Sequence, residues 1–108
     1  AERIIRQAKQ YVRQHCEQPL TLEDVARTVH LNMNYFSELF RAHTGETFTQ
    51  YVKRVRVEKV KQLLLDREVK IYEIAERMGY ANPRYFSKVF KEQVGMTPKQ
   101  YRERNQFS

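Results

Sequence analysis

One stretch of this chain occurs twice, and that repetition limits the possible folds more than any other feature. Met78 to Tyr101 reads MGYANPRYFSKVFKEQVGMTPKQY, and His30 to Tyr51 reads HLNMNYFSELFRAHTGETFTQY. Tyr35-Phe36-Ser37 matches Tyr85-Phe86-Ser87, Phe40 matches Phe90, Gly45 matches Gly95, Thr47 matches Thr97 and Tyr51 matches Tyr101, each pair 50 residues apart. Upstream, Val25-Ala26 matches Ile74-Ala75 at a spacing of 49. The extra residue falls in the turn ahead of the second copy's main helix. The chain therefore uses one supersecondary unit twice.

The second copy shows what the unit is. Phe86, Val89 and Phe90 stand at i, i+3 and i+4, one face of a helix. The opposite face carries Arg84, Ser87, Lys88 and Lys91, three cations and a hydroxyl with no acid among them. Gly95 reads as a C-terminal stop, and Thr97-Pro98 as an N-cap followed by proline at N1. A helix with an apolar back and a cationic front is shaped to press that front against an anion. With Ile74, Ala75 and Gly79 ahead of it, the whole reads as a helix-turn-helix.

Size and charge agree with this. The chain has 108 residues, enough for one domain or two very small ones. The net charge is +7 and uneven: residues 1–50 carry six basic and six acidic side chains, residues 51–108 fourteen and seven. Such a field steers a polyanion, although solvated surface charge explains an excess equally well on its own. No apolar run approaches a membrane span, and no signal or transit segment is visible. The single cysteine, Cys16, excludes an internal disulfide and fits a reducing, cytoplasmic compartment.

Taken in order, residues 2–16 form a first helix with an apolar stripe of Ile4, Ile5, Ala8, Tyr11, Val12 and His15 or Cys16. Thr21 opens a second helix, Leu22 to Val29, in a capping-box-like start with Asp24 in the third place. Its core residues are Leu22, Val25, Ala26 and Val29, with small Ala26 where the next helix crosses. His30 occupies the turn, where φ > 0 is wanted and histidine is one of the few tolerated side chains. The third helix, about Met33 to His43, turns Phe36, Leu39, Phe40 and His43 inward.

Thr47 caps a fourth helix from Phe48 to about Leu65, roughly 25 Å long at about 1.5 Å per residue. Phe48, Tyr51, Val52 and Val55 form one apolar face; Val57, Val60 and Leu64 form another nearly opposite. A helix that changes its buried side halfway packs on two partners, so it is expected to act as a strut fixing the spacing of the two copies. The loop 66–70 is polar, without Gly, Pro or Ser. A fifth helix runs Ile71 to Met78, a sixth about Pro83 to Val94 and a seventh Pro98 to Arg104, with the tail to Ser108 expected to fray. The expected fold is all-α: seven helices in two helix-turn-helix subdomains, 1–47 and 66–108, joined by a linker helix, 48–65. Because Ala1 stands directly before the first helix, the chain is expected to be a fragment lacking an upstream domain.

Ala75, Gly79-Tyr80, Tyr85-Phe86-Ser87, Phe90-Lys91, Gly95, Thr97-Pro98 and Tyr101-Arg102 at these spacings closely resemble the AraC/XylS family of bacterial transcription regulators. The resemblance covers both copies and the fourth helix, and the wording SELFRAHTGETFTQYV is similar to response-regulator members of the YesN type. It implies sequence-specific binding of double-stranded DNA, no enzyme activity, a role as a regulator's output domain, and RNA polymerase and an upstream regulatory domain as further partners. Two departures stand out: Val60 replaces a usual small alanine, and the first turn lacks its glycine.

Within that reading, the base-reading candidates are Asn34, Ser37, Glu38 and Arg41 on the third helix and Arg84, Ser87, Lys88 and Lys91 on the sixth. They lie opposite the packed face, mostly in the N-terminal half where base edges are reached. Arg41 and Lys91 lie further along and are better suited to phosphate, while Glu38 is either a reader or an i+3 partner of Arg41. Asn32 and Asn82 are expected to cap these helices and to touch phosphate; Thr21, Thr47, Lys53, Lys70 and Lys99 are phosphate candidates or simply caps and solvated cations. Tyr35 and Tyr85 precede the core phenylalanines; a hydroxyl contact with DNA is one reading of them, and half-buried packing is the expected one. His15, His30 and His43 have no metal spacing, Cys16 reads as a buried thiol, and no cofactor or catalytic constellation is expected. An RNA-binding module is a rival reading, disfavoured by the absence of an exposed stacking platform. A second rival is docking of the basic copy on an acidic protein such as a receiver domain or RNA polymerase.

Overall fold

A computed structural model of the chain describes residues 1–105. Seven helices follow one another, and no strand occurs among the described residues: α1 (Glu2–His15), α2 (Leu22–Thr28), α3 (Met33–Thr44), α4 (Phe48–Leu64), α5 (Ile71–Arg77), α6 (Pro83–Val94) and α7 (Pro98–Arg104). The boundaries match the sequence reading to within a residue or so, because each is set by a local signal. The expectation about the chain's last residues, 106–108, lies outside the described residues. The chain divides into two compact units, Ala1–Val55 and Arg56 onward.

The first unit is built around aromatic rings. Phe36 and Phe40 are fully buried and lie 5.8 Å apart; both meet Phe48, at 5.6 and 5.7 Å, and Phe40 also meets Tyr51 at 5.4 Å between centroids. Ile5, Ala8 and Val12 from α1 and Val25, Ala26 and Val29 from α2 close this core. Each buried aromatic contributes about 1.5–3 kcal/mol by area, and edge-to-face pairs add about 0.5–1.5. The Tyr51 ring lies beneath the Arg54 guanidinium at 5.2 Å and near Lys9 Nζ at 5.7 Å. Burial pushes its phenol above the usual 10, while Arg13 and Arg54 pull the other way. The second unit repeats the plan with Val60, Leu64, Ile74, Ala75, Met78, Phe86 and Phe90 buried. Tyr101, half-buried, replaces Tyr51 and meets Phe90 edge-on at 6.0 Å. Helix α4 thus supplies Phe48 and Tyr51 to one core and Val60 and Leu64 to the other.

The turn that joins α2 to α3 depends on one backbone state. His30 has φ 60°, and its counterpart Gly79 has φ 87°. His30 N–H donates to the Arg27 carbonyl at 3.1 Å and Leu31 N–H to the Ala26 carbonyl at 2.9 Å; Gly79 and Tyr80 donate to Glu76 and Ala75 at 3.0 and 2.9 Å. Both are Schellman closures, so the first copy makes the glycine-type turn without glycine. The gap before α6 is one residue longer than the gap before α3.

Two expectations fail. His43 is exposed, not inward, and its counterpart Gln93 is exposed as well. The phenylalanines already fill both cores, and an imidazole buried there without a hydrogen-bond partner is costly. Tyr35 and Tyr85 are exposed rather than half-buried.

Candidate nucleic-acid interface

Helices α3 and α6 begin and end in the same way. Asn32 Oδ1 accepts from the backbone N–H groups of Asn34 at 2.8 Å and Tyr35 at 3.2 Å. Asn82 Oδ1 accepts from Arg84 N–H at 2.9 Å. At the far ends Gly45 and Gly95 donate to the carbonyls of Arg41 and Lys91 at 2.9 and 2.8 Å. The following helices start with matching capping boxes: Thr47 with Gln50 and Thr97 with Gln100, each at 3.1 and 2.9 Å. Both asparagine oxygens are committed to caps, which leaves their side-chain N–H groups to face outward.

With Phe36 and Phe40 pinned inward on α3, the opposite face is fixed. Asn34, Glu38 and Arg41 are exposed and Ser37 is half-buried. On α6 the pattern is the same: Arg84, Lys88 and Lys91 are exposed and Ser87 is half-buried. Each set of four therefore shares one outward helix face within its own unit. No ion pair joins Glu38 to Arg41 among the described residues. The α6 cations have no acidic partner there either, so their charge is open to a ligand.

The phosphate candidates scatter over several elements. Thr21 Oγ1 accepts from Asp24 N–H at 3.1 Å and so acts as a cap; Thr47 is held in its box. Lys53 on α4, Lys70 ahead of α5 and Lys99 in the first turn of α7 are exposed. The structure also removes some cations from the apparent excess. Arg56 donates to the Met78 carbonyl at 2.5 Å. Arg102 donates from Nε to the Leu64 carbonyl at 2.8 Å and from Nη2 to those of Asp66 and Val69 at 3.1 and 2.6 Å. Arg102 thereby closes the end of α4 and ties down the polar loop 66–70, a role that sequence reasoning did not assign. Arg54 pairs with Glu46 at 2.8 Å. Cys16 is buried. No helix among the described residues is long and apolar enough to cross a membrane.

The helix-turn-helix domain family matches residues 25–104, most of the chain. The chain is similar to the C-terminal domain of AraT, a response regulator from Geobacillus stearothermophilus, with 40% identity and a TM-score of 0.86 over 97% of this chain and 88% of that one. It is similar to the C-terminal domain of the two-component response regulator yesN from Fusobacterium nucleatum subsp. nucleatum, with 36% identity and a TM-score of 0.74 over 87% of this chain and 93% of that one. The transcriptional regulatory protein YesN of Bacillus subtilis is 47% identical over 53 residues, 48% of this chain and 14% of its own length. Across eight curated relatives the chain spans 8% to 30% of their length. The chain, with its repeated helix-turn-helix unit, belongs to the AraC/XylS family of transcription regulators and is a DNA-binding helix-turn-helix domain, not an enzyme.

Proposed function

We propose that this domain is the output module of a longer cytoplasmic transcription regulator, an activator. In it α3 and α6 read neighbouring major-groove segments of one duplex. The observation that carries the reading is the matched pair of outward faces, Asn34/Ser37/Glu38/Arg41 and Arg84/Ser87/Lys88/Lys91, on helices that each start at an asparagine cap and stop at a glycine. The subdomains are 1–47 and 66–108, with 48–65 as the linker helix. Arg84 and Lys88 donate to guanine O6 and N7, Asn34 pairs with adenine, and Glu38 accepts from cytosine N4. Asn32, Asn82, Thr21, Thr47, Lys53, Lys70 and Lys99 hold the sugar-phosphate walls and set register without reading sequence. AraT and yesN are response regulators by name, which supports an upstream regulatory domain as one partner; RNA polymerase is the other partner proposed.

A comparison of two substitutions on a selected duplex tests the assignment. Arg84→Ala is expected to lose about 1–3 kcal/mol of binding and to relax preference at one base pair. Lys53→Ala is expected to weaken all duplexes alike and to lower the slope of log K against log salt by about 0.9. Uniform weakening by both would remove Arg84 from the readers.

A further inference from the structure

Five large hydrophobic residues are exposed among the described residues, and three of them, Met33, Tyr35 and Tyr85, sit in the first turns of α3 and α6. Tyr35 is 56% exposed and Tyr85 57%, at matched positions of the two copies. Exposed aromatic area at the tip of a helix that faces an anion calls for a contact of its own.

At 3.6 residues per turn, Tyr85 lies about 60° around α6 from Lys88 and about 40° from Val89 on its other side. It stands on the flank of the reading face, between exposed Lys88 and half-buried Val89. When a helix lies in a major groove, the centre of its outer face meets base edges and its flank meets the sugar-phosphate wall. The Tyr85 side chain is also braced. Its ring meets Tyr80 at 6.0 Å, and the Arg56 guanidinium lies over the Tyr80 ring at 6.0 Å while donating to Met78. Leu31 stands in the place of Tyr80 in the first copy, so Tyr35 lacks this aromatic support.

Resting on the proposed DNA reading, we infer that Tyr85 is a positioning residue whose hydroxyl donates to a DNA phosphate oxygen beside the α6 half-site and sets the register of Arg84 and Lys88. The contact is neutral, so it releases no counterion, which separates it from every lysine contact. Tyr35 makes the same contact less firmly.

The test uses the whole domain on a selected duplex. Tyr85→Phe keeps the ring and the brace and removes only the hydroxyl. It is expected to weaken binding about three- to tenfold, with the salt slope unchanged and base preferences retained. Single neutral methylphosphonates placed along the α6 half-site are expected to erase the difference between wild type and Tyr85→Phe at one phosphate and to leave it elsewhere. Equal binding by Tyr85→Phe, a gap that persists at every phosphate, or a lowered salt slope overturns the inference. So does a Tyr85→Ala loss that disappears when deoxyuridine replaces thymine, since the ring would then be reading a methyl group. A wild-type domain with no duplex preference overturns the DNA reading itself, an outcome distinct from these.

Discussion

Arg102→Ala is expected to destabilise the second unit by about 2–4 kcal/mol, enough to consume much of the stability of so small a core. The guanidinium holds three carbonyls, those of Leu64, Asp66 and Val69. The first is an orphan at the end of α4, and the others belong to a loop whose own hydrogen bonds reach two or three residues along the chain. Charge-assisted bonds of this kind contribute more than neutral ones, and their loss takes this donor from the part-buried Leu64 and Val69 carbonyls. Arg102→Lys is expected to restore little, because an ammonium cannot span the fork that Nε and Nη2 make. Hydrogen exchange of the α5 to α7 amides, read separately from those of α1 to α3, gives the result. A change below about 0.5 kcal/mol, or full rescue by lysine, would show that the loop holds itself.

Replacing Arg84 and Lys88 together by glutamate is expected to weaken duplex binding at least about 100-fold while leaving thermal unfolding unchanged. Both side chains are exposed and unpaired, so nothing in the fold depends on them. Two donors to base edges disappear, and two anions are placed against the duplex. Asn34→Ala with Ser37→Ala in the first copy is expected to cost much less, since residues 1–50 carry no net charge. Equal losses from the two helices would contradict a larger share of the affinity for α6.

The sequence disclosed the helices because their signals are local. Asn32, Thr47, Asn82 and Thr97 announce starts, Gly45 and Gly95 announce stops, and the phenylalanine pairs mark the buried face. The outward faces followed at once, since a helix with two pinned rings has one direction left for Arg84 and Lys88. His30 was legible for the same reason: a turn of this kind needs φ > 0, and the residue present tolerates it. What stayed hidden depends on contacts far apart in the chain. Arg102 meets Leu64 across 38 positions, and no local pattern distinguishes such a guanidinium from one that binds phosphate. Arg56 escaped notice in the same way. Periodicity alone also does not show where a core ends: it turns His43 inward and leaves Tyr85 half-buried, although each core is filled before reaching them.

The central claim is that one chain carries two readers for one duplex. Selecting bound duplexes from a random pool tests it most directly. Two conserved half-sites are expected, about one helical turn or roughly 34 Å apart, with the α6 half-site changing when Arg84 is replaced. A single half-site, or two at freely varying separation, would contradict it.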